Sequence, residues 1–505
     1  MNFKRSILTL LAIGFSFHAF AQFKLNGKIK GYKGTEKLQI NIPLVYGFYE
    51  ENSINIPVKN DGSFDTELSV KDTKFAGLIL NNYKYDLLLQ PNRSLSININ
   101  QTAKVIEYLS GTALLENALM QQINFRGAAF FLNDHADNDK YYTQFTYQKS
   151  LDSVVRPYLK QQEQKVRSVQ ISNINTTAKQ IIIDDINYRS IYLLDMFART
   201  ANLGKNTMDS LIFKIFENSK FSGQRAPSGS NYYNYLDSYL NYLATKAFLK
   251  AKQDKIPENQ PLPYYGISLD SGKTLAREKG KWYVEWIGAV KNIPARDIES
   301  YFYQKIATLY SEKNLGHLQP LAEAFKKQFP NSIYLKDVKT KATTLKQKLE
   351  ENQNNKNIKI IDGYENISRI ADVIKTLKGK VVYLDVWGTW CGPCKEELQY
   401  VPELKAKFKD KNVAFVYLDM DDDRQDDFWK QFIKVNRMEG LHLRKNRQTI
   451  APFWDELLAD VTDKSQSYPR FFIFDKEGKL TIPNALRPSN REELYKQIET
   501  VLNQQ

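Results

Sequence analysis

The chain has 505 residues, a formal net charge of +14, 42% hydrophobic and 13% aromatic residues, and two cysteines. That length exceeds one ordinary core of about 100 to 200 residues and implies roughly two to four domains, and 30 Tyr with 28 Phe exclude a disordered chain. The basic residues are spread without a long block or a nucleic-acid motif, so the charge reads as a solvated basic surface and nucleic acid is not an expected partner.

Lys4 and Arg5 precede an apolar run from Ile7 to Phe17, and Ala19 and Ala21 take the small-residue positions of an Ala-x-Ala cleavage site. This pattern predicts a signal peptide over residues 1–21, cut before Gln22. The run is shorter than the roughly 20 residues that span a bilayer. With cysteines only at 391 and 394, none stands at the cleavage site to carry a lipid. Export is therefore expected, to the periplasm, with no stable membrane anchor after cleavage.

From Phe23 to about Asn100 apolar residues alternate with polar ones, as at Phe23, Leu25 and Ile29, at Leu38, Ile40 and Ile42, and at Ile54, Ile56 and Val58. Turn residues separate the runs: Asn60-Asp61-Gly62 before Phe64, and Pro91-Asn92 between Leu87-Leu89 and Leu95-Ile99. The expectation is an antiparallel β-sandwich or barrel over residues 22–105. Over 106–349 the period becomes helical, with Ile183, Ile186, Leu193, Leu194 and Phe197 on one face. Tyr232, Tyr235, Leu236, Tyr239, Leu240, Tyr242 and Leu243 form a wide aromatic stripe. It reads as core or helix interface rather than a sugar or peptide platform. Phe329-Pro330-Asn331-Ser332 resembles the punctuation between two hairpin helices.

The polar stretch Glu350 to Asn357 reads as a linker, and a last domain is expected over 358–505. There, strand-like runs Val381–Val386, Val413–Leu418 and Arg470–Phe474 alternate with helical patterns, closed by a helix over Arg491 to Leu502. An α/β domain around a central sheet follows. The first run leads directly into Gly388-Thr389-Trp390-Cys391-Gly392-Pro393-Cys394. Two residues between thiols let one helical turn bring both sulfurs together, while the free N–H groups of a helix start stabilise a thiolate at Cys391. The first thiol is thus the expected nucleophile and the second the resolving thiol.

Trp390-Cys391-Gly392-Pro393-Cys394 resembles the thioredoxin active-site motif, and with the export signal the chain resembles the TlpA/ResA-like branch of that family. Gly379-Lys380-Val381-Val382, Asp385 and Tyr468-Pro469-Arg470-Phe471-Phe472-Ile473-Phe474-Asp475-Lys476-Glu477-Gly478 also match. The resemblance implies a C-terminal thioredoxin fold in which Pro469 is the cis-proline beside the site and the Tyr468 backbone pairs with substrate. It also implies that Asp385 is the buried carboxylate relaying a proton for Cys394, and that Trp390, Gly392 and Pro393 form the substrate face. Two departures stand out. Gln399 replaces the proline that bends the helix in many relatives, and Val413–Leu418 lacks the lysine that neighbours the carboxylate in thioredoxin itself.

A zinc site would need four ligands, but His135, His317 and His442 are scattered and no second Cys pair exists. A purely structural disulfide closing so short a loop would add little stability. The acidic cluster Asp419, Asp421, Asp422, Asp423, Asp426 and Asp427 lacks the glycine and terminal Glu of a calcium loop and reads as a solvated helix start. The function expected is disulfide exchange with protein or peptide substrates, without a bound cofactor and with re-reduction by an external membrane electron donor. The Gly-Pro dipeptide of thioredoxin, whose potential is about −270 mV, points to a reductase. The competing classes are a ligand-binding scaffold with a reduced-activity thioredoxin domain and a thiol peroxidase, whose Pro-x-x-x-Thr-x-x-Cys pattern is absent around Cys391.

Overall fold

The computed structural model describes residues 21–42, 53–81, 83–133, 141–222 and 229–504. Residues 1–20 of the expected signal segment, and His135, lie outside the described residues. Contacts divide the chain into two units, one with residues up to Ile267 plus Gly288–Gln304, the other with Ser268–Ile287 and Lys305 onward.

In the first unit eight strands are described: β1 (Gln22–Lys30), β2 (Leu38–Asn41), β3 (Ser53–Asn55), β4 (Ser63–Ser69), β5 (Lys74–Leu80), β6 (Tyr83–Leu89), β7 (Ser94–Asn100) and β8 (Val105–Ser110). They form two four-stranded sheets, ordered β4-β1-β7-β8 and β3-β2-β5-β6. Alternation does what it predicts: Leu95, Ile97 and Ile99 of β7 are buried and meet Leu38, Ile40, Leu87 and Leu89 of the other sheet in one core. Each such side chain contributes about 1.5–3 kcal/mol when fully buried. Two expectations are corrected. Strand pairing is not antiparallel throughout, because β7 runs parallel to β1; the Pro91-Asn92 turn is no hairpin but carries the chain from one sheet to the other, and β7 re-enters alongside β1 after that excursion. The β-region also continues to Ser110, since β8 pairs with β7.

Helices follow, among them α1 (Leu114–Gln122), α2 (Thr176–Thr200) and α3 (Ser230–Gln253). Buried Asn117 of α1 accepts the Leu88 N–H at 2.9 Å and donates to the Leu88 carbonyl at 3.1 Å, joining the helix to β6. The aromatic stripe of α3 is core: Tyr232, Tyr235, Leu236, Leu240 and Leu243 are buried, with Tyr188 of α2 packed on Tyr232 at 4.6 Å.

In the second unit α4 (Leu315–Gln328) and α5 (Leu335–Asn352) form the hairpin that Phe329-Pro330-Asn331-Ser332 punctuates. The chain then turns through 353–357 into β9 (Ile358–Ile360). The remaining elements are α6 (Ile370–Lys375), β10 (Val381–Trp387), α7 (Gly392–Glu397), α8 (Val401–Lys407), β11 (Val413–Asp419), α9 (Asp426–Val435), β12 (Gly440–Arg444), α10 (Ala451–Leu457), β13 (Arg470–Phe474), β14 (Leu480–Ile482) and α11 (Glu492–Leu502). Six strands form a mixed sheet ordered β14-β13-β10-β11-β12-β9. Central β10 has no exposed residue. Val382, Leu384 and Val386 face a core with Trp429, Phe432, Phe453 and Trp454, while Val381 and Tyr383 face another with Leu404, Phe408, Leu494 and Ile498.

The hairpin is packed onto this fold: α5 and α4 contact α9, the Gly316 N–H bonds Gln431 Oε1 at 2.8 Å, and His317 stacks on Phe428. The expected linker shortens, because Glu350, Glu351 and Asn352 complete α5, and we propose that 353–357 bounds the sheet domain, with α4 and α5 as its packed accessories. A fragment from residue 356 keeps all six strands and is expected to fold. One from residue 313 should melt about 4–8 °C higher, for about 2 kcal/mol of extra burial. Equal melting curves by circular dichroism would show that the hairpin adds nothing.

Candidate active site

Strand β10 ends at Trp387, and the chain must reverse from a buried strand into a helix. Gly388 allows this closely, since a Cβ there would lie 2.7 Å from the Trp390 indole nitrogen. The Gly388 carbonyl accepts the Cys391 N–H at 3.0 Å, and α7 begins at Gly392. Cys391 occupies the N-cap position, its Sγ accepting the Cys394 N–H at 3.2 Å. The two cysteines are joined as a disulfide. Both are buried, at 4% and 2% exposure, while Gly392 and Pro393 are exposed between them and no atom crowds Gly392.

The neighbouring face comes from β13 and the loop before it. The Tyr468–Pro469 bond is cis. Trp390 stands half exposed, edge-on to Tyr468 at 5.4 Å, and Tyr468 in turn contacts Trp454 and Met420. The structure thus brings Trp390, Cys391, Cys394, Tyr468 and Pro469 to one end of the sheet.

Asp385 has the parity of Val381 and Tyr383 on β10, so it points to the face covered by α8 and α11. In register it lies between Tyr417 and Phe471. It is 4% exposed, and its Oδ1 has no hydrogen-bond partner among the described residues. Burial, reinforced by the Glu397 charge and opposed by the Lys405 ammonium, holds its carboxyl well above the ordinary range.

Three residues escaped the sequence reading. Glu397 lies three positions after Cys394, one helical turn on, and its carboxylate is fixed by the Ser489 N–H at 2.9 Å and hydroxyl at 3.0 Å; the spacing itself was the available signal. Lys405 supplies the cation that β11 lacks, from helix α8 instead. Its stem is partly exposed, but its ammonium lies 5.1 Å from the Tyr417 ring and bonds the Glu439 carbonyl, and burial lowers its pKa to about 7. Asp421 accepts the Thr389 N–H at 3.0 Å and the Thr389 hydroxyl, anchoring the turn before the cysteines.

The acidic cluster is therefore not one solvated face. Asp426 and Asp427 do sit in the first turn of α9, but Asp419 and Asp421 are fully buried: Asp421 accepts both Thr389 donors and Asp419 Oδ1 accepts the Asp421 N–H, while Asp419 Oδ2 has no hydrogen-bond partner among the described residues. Gln399 leaves the helix path settled by Pro402: that ring cannot donate to the Leu398 carbonyl, so the helix breaks over 398–400 between α7 and α8. Buried His442 stacks on Tyr417 at 4.8 Å and bonds the Met438 carbonyl. Among the described residues no group of three or more His, Cys, Asp or Glu is arranged to hold a metal ion.

The Redoxin family model matches residues 371–498. Thiol-disulfide oxidoreductase ResA of Bacillus thuringiensis (strain Al Hakam) is 34% identical over 108 residues, 21% of this chain and 56% of that protein. The protein of the same name from Bacillus subtilis (strain 168) is 34% identical over 109 residues, 21% of this chain and 54% of that protein. The C-terminal part of the chain is a thioredoxin-like domain of the TlpA/ResA type.

The chain thus spans about half the length of the curated relatives it matches. Among solved structures, a putative thiol-disulfide oxidoreductase from Bacteroides vulgatus is 32% identical, covering 25% of this chain and 79% of that one, with a TM-score of 0.21. A putative thiol:disulfide interchange protein DsbE from Chlorobium tepidum is 28% identical, covering 25% and 84%, with a TM-score of 0.21. All of the site residues described above fall inside the thioredoxin-like domain.

Lys405 gives a pH test. An unfolded lysine titrates near 10.4 and this folded one at about 7. Between those values the unfolded chain holds more protons, so this group makes stability rise with pH. Lys405→Met should flatten that rise, by about 2 kcal/mol between pH 7 and 9 at one unit of pH per 1.36 kcal/mol. Urea midpoints of both proteins at the two pH values check it; parallel pH dependences would show that Lys405 is not buried as a neutral amine.

Proposed function

We propose that the chain is an extracytoplasmic thiol-disulfide oxidoreductase acting on protein or peptide disulfides, as a reductase. The observation that carries this is the cysteine pair at the start of α7, with Cys391 capping the helix beside Trp390 and the Tyr468–Pro469 segment. The names of the matched relatives, thiol-disulfide oxidoreductase, support it. The basic n-region and Ala-x-Ala site support export. No helix among the described residues is long and apolar enough to cross a membrane.

In the reduced protein the Cys391 thiolate attacks one sulfur of the substrate disulfide. A Cys391–substrate bond forms, the substrate S–S bond breaks, and the departing sulfur leaves as a thiolate that takes up a proton. The ionised form of Asp385, which its raised pKa makes a stronger base than an ordinary carboxylate, accepts the Cys394 proton, and the Cys394 thiolate attacks Cys391 Sγ. The protein disulfide closes, the second substrate sulfur departs, and two electrons have passed to substrate. An external membrane electron carrier returns them. The backbone at Tyr468 aligns the substrate strand, with Trp390, Gly392 and Pro393 against its side chains.

Cys391→Ser should abolish exchange, because no attacking thiolate remains. Cys394→Ser should instead accumulate covalent substrate adducts that disappear on adding dithiothreitol, visible as shifted bands on non-reducing gels. Adducts on the Cys391 variant alone would reverse the two roles, and none on either would favour the scaffold reading. Asp385→Asn should slow resolution about 100-fold, the scale of a lost proton relay, so that mixed disulfide builds up with both cysteines present. Unchanged single-turnover resolution rates would remove Asp385 from the mechanism.

A further inference from the structure

Beside the cysteine pair lies a cavity of about 520 Å³, within the roughly 300–1,000 Å³ of sites that receive a ligand. Trp390, Met420 and Phe428 supply its apolar surface, and the loops after β11 and β12 supply charge. One wall is foreign to the thioredoxin-like domain: Glu312 and Asn314 belong to the segment that leads into α4. That segment is held in place, since Asn314 caps α4 by accepting the His317 N–H at 3.1 Å and the next residues are tied to α9 through Gln431 and Phe428.

The charges are unevenly satisfied. Arg424 is tied to Asp422 at 3.4 Å. Arg447, whose guanidinium lies 5.7 Å from the Trp390 ring, and Lys395, next to Cys394, have no carboxylate within 4 Å among the described residues. Asp421, the acid buried beside them, already accepts both Thr389 donors. Glu312, on the far wall, likewise has no cationic partner among the described residues. Unpaired cations thus flank the redox pair against low-dielectric aromatic walls, which focus their field into the cleft, and the anion stands across from them.

We propose that this cleft selects peptide segments with a carboxylate side chain beside the reactive cysteine, Arg447 and Lys395 receiving it and Glu312 of the accessory wall opposing it. This rests on the exchange reading above and adds to it a substrate class and a role for the hairpin segment. Arg447 already lies over the Trp390 ring in the structure, so the proposed selection needs no rearrangement of this side chain.

The test uses the full-length protein and three synthetic peptides, each closed by one disulfide whose cysteines are flanked by Glu, Gln or Lys. Turnover is followed with dithiothreitol as the reductant and divided by the rate with dithiothreitol alone, which removes intrinsic reactivity. At about 10 mM salt the Glu peptide should be reduced about fivefold or more faster than the Lys peptide, and the ratio should shrink at 0.5 M salt as screening shortens the range of the charges. Arg447→Gln combined with Lys395→Gln should bring the ratio toward one; Glu312→Gln should raise it. A ratio of one or below in the unaltered protein, or a ratio indifferent to these substitutions, overturns the proposal. Failure to reduce any of the three peptides overturns instead the exchange reading on which it rests.

Discussion

Complete burial of β10 is the constraint on which the cysteine-bearing end of the molecule depends. All seven of its residues are hidden, with cores on both faces, so the strand cannot slide or twist without exposing apolar surface on one side or the other. Its last residue therefore delivers the Gly388–Cys394 turn to a defined point. The turn is then held from a second direction by Asp421, which reaches it from beyond the end of β11. Strand and carboxylate thus hold the turn that carries the cysteine pair from two directions.

The same burial makes Asp385 chemically unusual. A carboxyl between two aromatic-bearing strands loses water, and Glu397 adds a like charge, so the neutral acid is favoured where an ordinary aspartate would be ionised. Lys405 works against this from helix α8, and itself gives up part of its basicity to the same burial. The domain thus keeps a basic group near its buried acid while drawing it from a helix rather than from the adjacent strand. The helix break over 398–400, enforced by Pro402, reorients the chain between Glu397 and Lys405, so the two reach Asp385 from separate helices.

In the other unit the chemistry is that of structure. Two sheets share one core, Asn117 welds the first helix to β6 through paired backbone bonds, and the aromatic stripe of α3 is consumed in helix packing. The helices nearest the thioredoxin-like domain in sequence are different, because α4 and α5 lie against α9 and carry the segment that walls the cleft.

What the sequence determined by itself was whatever is encoded locally. Period-two alternation marked most strands of the first unit, period 3.6 marked α2 and α3, and Cys391-Gly392-Pro393-Cys394 after an apolar run marked the site, since a strand, a tight turn and a helix start are all written in adjacent residues. Asp385, Tyr468 and Pro469 were legible only by resemblance, each lying within a recognisable stretch. Tertiary structure alone decided what depends on residues distant in the chain meeting: the parallel pairing of β1 with β7, the supply of a cation by Lys405, the burial of Asp421 under Thr389, and the placement of Glu312 across from Arg447. None of these has a period or a motif, because the partner that gives each residue its role is fixed by packing and not by its neighbours in sequence.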